Sequence, residues 1–165
     1  MHRRLDVSLE SCKPAEASSM PPACASLLPI ARALVQAYEA FRRVSDPNIR
    51  AMGLNPAHFD IIATLGDERG LTCKELGERT LLVKGTLSGH LDRLEINGLI
   101  ARTRAEQDTR QIIVSLTPKG KAVFEATFYP HLAHLQARFD KLSAERQAML
   151  VDLLDELTHC LMEDD

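Results

Sequence analysis

The sequence predicts a mainly α fold with one small β-hairpin, an α+β arrangement. Three observations predict it. Apolar residues recur at helical spacing in long stretches on both sides of the middle of the chain. Helix-start signals recur along it: Asn55-Pro56, the T-x-x-E box Thr72–Glu75, and Thr117-Pro118. A single pair of short strand candidates, 99–102 and 111–116, brackets a polar loop.

The elements follow in order. Residues 1–26, with Pro14, Pro21 and Pro22 among Ser and Ala, read as a flexible N-terminal arm. Ile30, Leu34, Ala37, Phe41 and Val44 mark an amphipathic helix from Leu27 to Val44, which Ser45-Asp46-Pro47-Asn48 is expected to break. Asn55 offers a capping oxygen and Pro56 suits the first helical position, so a second helix runs through Phe59, Ile62 and Leu65. The Thr72 box opens a short third helix to about Thr80. A fourth covers Lys84–Ile96 and stops at Asn97-Gly98. The hairpin follows, its returning strand rich in β-branched residues. Thr117-Pro118 starts a long helix that Pro130 should bend or interrupt, and Ser143 caps a last one carrying Met149, Leu150, Leu153, Leu154, Leu157 and Leu161.

Two short helices joined by a tight turn and followed by a hairpin make a winged helix-turn-helix. The longer flanking helices are more apolar than so small a unit needs and fit a helical dimerisation layer. The expected division is 27–54 as a dimerisation and linker helix region, 55–117 as the winged helix-turn-helix DNA-binding domain, and 118–165 as C-terminal dimerisation helices.

Composition narrows the class. A 165-residue chain with 45% hydrophobic and 26% charged residues is globular and of single-domain size. No apolar run approaches the ~20 residues of a membrane span. Asp6, Glu10 and Glu16 interrupt the start of the chain, so no secretory signal is expected. Cys12, Cys24, Cys73 and Cys160 show no CxxC spacing and read as reduced thiols of a cytoplasmic protein. The net charge of −3 hides a distribution. Residues 71–120 carry eight Lys/Arg against six acids, +2, whereas 143–165 carry one Arg against seven acids, −6. A DNA-binding protein needs positive charge only where it touches.

On the fourth helix, Leu87, Leu91 and Leu94 form a stripe at i, i+4, i+7 that should face the core. The opposite face presents Lys84, Gly85, Thr86, Ser88, Gly89, His90 and Arg93, small or donor-bearing residues suited to a major groove. Exposed glycines cost a helix about 1 kcal/mol each against Ala, so close approach of a partner explains them better than an ordinary surface does. Lys74, one helix earlier, adds a cation. At the hairpin, Arg102, Arg104 and Arg110 flank an acidic tip. In Asp108-Thr109-Arg110 the carboxylate is placed to orient the guanidinium for a narrow minor groove. Alone, that tip would read as a solvated turn with a weak ion pair.

Together Thr72–Arg79, Lys84–Glu95, Asn97–Ile100, Asp108-Thr109-Arg110 and Leu116–Gly120 resemble the MarR/SlyA family of bacterial transcription regulators. The resemblance implies a homodimer built from the first and last helices. Its paired recognition helices enter successive major grooves of a pseudo-palindromic double-stranded operator, and the wings touch the flanking minor grooves. Carried over by position, Lys84, Thr86, Ser88, His90 and Arg93 fall on the recognition helix, and Asp108 and Arg110 on the wing. Val83 departs from the family, standing where a small capping hydroxyl is usual.

The resemblance also implies a small effector, often aromatic and anionic, here an aromatic carboxylate, held near Tyr38, Arg42, His58, Phe128, His131 and His134. Each of these has a plainer reading as core or half-exposed helix surface. The commoner habit of the family is repression. Three alternatives stay open: a thiol sensor using a cysteine such as Cys73, a metal sensor using His131-x-x-His134, and a winged-helix protein-interaction module without DNA binding. The last usually accompanies a fused catalytic domain, for which 165 residues leave no room, and it has no use for wing arginines. No nucleotide-binding glycine motif or nucleophile triad points to an enzyme, and no cofactor is expected.

Overall fold

The computed structural model describes residues 22–66, 69–80, 82, 84–105 and 111–162. The elements are α1 (Pro22–Ala51), α2 (Pro56–Leu65), β1 (Leu71–Thr72), α3 (Cys73–Arg79), α4 (Lys84–Ile96), β2 (Ile100–Arg104), β3 (Ile112–Leu116), α5 (Pro118–Phe139) and α6 (Ala144–Met162). The chain divides into two compact units, 1–40 and 41–165. In the first, the described part is the leading stretch of α1, whose Leu27, Ile30 and Val35 are exposed.

The caps in the second unit behave as the residue types require. The Asn55 side chain accepts from the Ala57 amide at 2.8 Å. Thr72 and Glu75 complete a reciprocal capping box, with the Glu75 amide donating to Thr72 Oγ1 at 3.1 Å and the Thr72 amide to Glu75 Oε2 at 2.8 Å. α1 and α4 both end in a left-handed glycine, Gly53 at φ 81° and Gly98 at φ 69°. Each closes with a 6→1 and a 5→2 backbone bond: Leu54 to Ile49 and Gly53 to Arg50, then Leu99 to Leu94 and Gly98 to Glu95.

Neither Pro47 nor Pro130 interrupts its helix. α1 runs through Pro47 to Ala51, and α5 runs through Pro130 to Phe139. Each proline removes one amide donor, but Arg43 and Ala126, whose carbonyls lose it, are exposed residues that water can reach. Around Pro47 burial of Ser45 and Ile49 holds the helix, and within it Asp46 pairs with Arg42 at 3.1 Å and Arg50 at 3.5 Å, one turn to either side. α1 also begins at Pro22, inside the stretch expected to be an arm; residues 1–21 lie outside the described residues.

The hairpin gains a third strand. β3 is central, pairing antiparallel with β2 (Ile100↔Leu116, Arg102↔Val114) and with the two-residue β1 (Leu71↔Val114). β1 is too short to announce itself by alternation. Ile61, Ile62, Leu65, Leu76, Leu91, Leu94, Ile100 and Val114 are fully buried, so the core joins α2, α3, α4 and the sheet. α5 is tied to this core at its start. The Thr117 hydroxyl accepts from the Gly120 amide at 3.0 Å and donates to the Gly98 carbonyl at 2.7 Å, and a Cβ at Gly120 would drive into the carbonyl oxygen of Leu99.

Candidate nucleic-acid interface

α4 turns its leucine stripe inward: Leu87, Leu91 and Leu94 are 7%, 2% and 0% exposed. That burial orients the rest of the helix. Gly85, Thr86, Ser88, Gly89 and Arg93 are exposed on the outer side. A Cβ at Gly85 or Gly89 would meet nothing within 4 Å, so neither glycine is demanded by packing inside the chain. The outer face thus offers hydroxyl and guanidinium donors at a low backbone surface, behind Lys84 at the first helical position. Val83 lies outside the described residues.

His90 departs from the expected outward placement. It is half-buried, with its ring edge-on to His58 of α2, centroids 5.2 Å apart. Among the described residues, His58 Nε2 and His90 Nδ1 are buried without a hydrogen-bond partner. Burial, then His90 and Arg93, holds the His58 imidazole below its ordinary pKa. His90 belongs to the seam between α2 and α4 as much as to the outer face. The cause is its position next to Leu91, on the flank of the apolar stripe.

At the hairpin, Arg104 closes β2 as an exposed residue. Asp108, Thr109 and Arg110 lie outside the described residues. Arg102 is not a free cation: its Nη1 donates to Asp92 Oδ1 at 2.7 Å and to Glu95 Oε2 at 3.0 Å, both on α4. The i, i+3 spacing of these two carboxylates places them on one side of α4 and was a readable signal, but their partner is seven to ten residues on, across the turn. Lys74 is exposed on α3, with Glu78 3.9 Å away.

The expected effector residues fall on both units. Tyr38 is exposed on the first unit. In the second unit Arg42 is engaged with Asp46, and His58 faces His90. Phe128 stacks on Phe124 at 4.8 Å and on Phe59 at 6.5 Å, and Phe59 meets the His131 ring edge-on at 4.9 Å. His131 is 4% exposed, with both ring nitrogens in use: Nε2 with Ser45 Oγ at 3.1 Å and Nδ1 with Asn48 Oδ1 at 2.7 Å. Burial, then the neighbouring His134, lowers its pKa. His131 and His134 therefore do not form an open chelating pair, and no group of three or more metal-ligating side chains occurs among the described residues. Ser45 and Asn48, read from sequence only as a helix break, prove to be the partners of a buried histidine. Cys73 and Cys160 are exposed thiols. No described helix is long and apolar enough to cross a membrane.

Comparison with known proteins agrees with this geometry. The MarR family model matches residues 52–111, the stretch from the end of α1 to the start of the returning strand. The HTH-type transcriptional regulator YkoM of Bacillus subtilis (strain 168) is 31% identical over 70% of this chain and 77% of its own. The homoprotocatechuate degradative operon repressor of Escherichia coli is 28% identical over 75% of this chain and 84% of its own. Among solved structures, NadR in complex with 4-hydroxyphenylacetate superposes with a TM-score of 0.69 at 26% identity, over 88% of this chain and 97% of its own. With a buried leucine stripe behind an open polar helix, a three-stranded wing and these relatives, the chain belongs to the MarR family of DNA-binding transcription regulators and is not an enzyme.

Proposed function

We propose that this protein is a cytoplasmic homodimeric repressor that grips a pseudo-palindromic operator and releases it on binding a small aromatic carboxylate. The observation that carries the reading is the outer face of α4. Gly85 and Gly89 weaken an exposed helix yet fill no space inside the chain, so their use is to admit an external surface. Thr86, Ser88 and Arg93 supply donors for base edges and phosphates, with Lys84 at the head of the helix and Lys74 on α3 adding charge. Gly89 lies between Ser88 and His90, whose ring is a second-tier reader. Arg104 and, by the family resemblance, Asp108, Thr109 and Arg110 are assigned to the flanking minor groove.

One reading helix per chain covers one half-site, so a palindrome needs two chains. The apolar rows left open on the end helices supply the contact. On α6, Leu153 is 57% exposed and Leu161 71%, and no residue of that helix is buried. Solitary large apolar residues are ordinary on a surface, but a whole helix of them calls for a cover.

The effector reading rests on the aromatic cluster of Phe59, Phe124 and Phe128 beside His131. NadR holds 4-hydroxyphenylacetate, and the E. coli relative represses a homoprotocatechuate operon, so an aromatic acid is the natural class to test. An acid seated there would compete with Ser45 and Asn48 for His131, with Arg42 and His134 on the same two helices, and so couple ligand to the α1–α5 contact.

The test is binding-site selection from random duplex with the full chain, followed by titration of hydroxyphenyl acids into the selected complex. The expected result is an inverted-repeat consensus and release by at least one acid. Recovery of no consensus at moderate salt contradicts the operator reading. Retention of DNA across the acid series contradicts the effector reading alone.

A further inference from the structure

We propose that Arg102 does not touch DNA but clasps the wing to the reading helix, and so sets where the wing arginines land. The proposal rests on the operator reading above. Arg102 is the third residue of β2, the strand that leads into the wing, and it pairs with Val114 of the central strand. Its side chain is only 23% exposed, and a single guanidinium nitrogen donates to both Asp92 and Glu95 of α4. Asp92 and Glu95 sit in the last two turns of α4, just before the Gly98 stop.

The turn before the strand is closed by the Leu99 amide donating to the Leu94 carbonyl and the Thr117 hydroxyl to the Gly98 carbonyl, so the strand is fixed at its root. Between α4 and β2 stand Asn97, Gly98 and Leu99, with Gly98 in the left-handed region. A turn fixes the direction of the strand at its root, but a small error there grows along a projecting hairpin. The clasp adds a second point of attachment two residues into the strand. A guanidinium shared by two carboxylates has a narrow range of good geometries, so it restricts twist as well as distance. Arg104 lies two residues further along β2, on the same face of the strand as Arg102, so its reach depends directly on that restraint.

The charges favour the same role. Asp92 and Glu95 lie on the helix that meets phosphates, where bare carboxylates would repel DNA. Arg102 neutralises part of that charge, with its Nη1 taken up by the two carboxylates. The two possible roles of Arg102 therefore predict opposite effects for its partners. If Arg102 were a DNA contact, removing Asp92 and Glu95 would release it and strengthen binding. If it is a clasp, removing them loosens the wing and weakens binding despite the gain in positive charge.

The experiment compares the full chain with Arg102→Met, with the pair Asp92→Asn and Glu95→Gln, and with all three changes together. Each is measured on the selected operator and on the same operator trimmed of the flanks under the wings, across a salt series. Expected is a loss of about tenfold on the full operator for both Arg102→Met and the carboxylate pair, with little further loss in the triple variant. For Arg102→Met, affinity for the trimmed duplex should stay as in the parent. Tighter binding of the full operator by the carboxylate pair, or a loss in Arg102→Met that is as large on the trimmed duplex as on the full operator, overturns the clasp and makes Arg102 a direct contact. Amide exchange in the wing is read without DNA, so it keeps its meaning even if the parent chain selects no operator. Faster exchange in β2 and β3 of Arg102→Met, with the melting temperature held, supports the clasp, and unchanged exchange overturns it.

Discussion

The polar residues of the second unit divide into those turned outward and those consumed by the fold, and His131 is the clearest of the second kind. Its two ring nitrogens meet Asn48 Oδ1 and the Ser45 hydroxyl, and a neutral ring suits both, donating to the amide oxygen and accepting from the hydroxyl. Its pKa is lowered by burial and by His134, from an ordinary value of 6.5. The unfolded chain then binds the proton more readily than the folded one. The stabilising effect is therefore full above pH 6.5 and is lost as the pH falls below it toward the depressed folded value. His58, lowered mainly by burial, acts in the same direction. Thermal melts of the parent should decline as the pH drops from neutrality toward 5. His131→Gln should lower stability by about 1–3 kcal/mol at neutral pH, since Ser45 or Asn48 loses its partner, and should flatten that decline. An unchanged pH profile in the variant would remove His131 from the account. The sequence marked His131 as a residue of interest but could not show its partners, which stand 83 and 86 positions away.

For whole elements, the signals that stood out in the sequence were local ones. Caps at Asn55, Thr72 and Thr117 and the stop at Gly98 are satisfied within a few residues, and each appears where the residue types place it. The errors came from distant contacts overriding local preference. Pro47 and Pro130 break helices in isolation, but here the lost bonds face solvent and buried neighbours hold the turns. β1 exists because β3 offers an unpaired edge to Leu71 and Thr72, not because two residues prefer a strand. The glycines of α4 lead to a prediction on this scale. Gly89→Ala introduces a methyl into open space, so it should stabilise the chain by up to ~1 kcal/mol while weakening operator binding. Denaturant melts and titrations on one preparation check both. A variant that gains stability and keeps full affinity would show that no partner surface comes close to that helix.

The whole molecule is organised by charge and by the open faces of its end helices. The segment carrying the helix-turn-helix and wing has a net charge of +2, and the C-terminal stretch of −6 keeps nonspecific attraction to nucleic acid low. In the proposed homodimer, specific binding comes from geometry, with two reading helices held at the spacing of successive grooves. α6 carries the apolar surface that the proposed second copy would cover. Leu150, Leu153, Leu154 and Leu161 are all exposed, and fully burying each would contribute about 1.5–3 kcal/mol. The sequence showed this stripe plainly; what it could not show is that these leucines stay exposed among the described residues of the second unit. The most direct measurement is sedimentation equilibrium of the full chain at micromolar concentration, alone and with the selected duplex. The account predicts a mass of two chains in both samples, with one duplex bound per pair. A single chain that remains monomeric and binds the duplex one to one would contradict it.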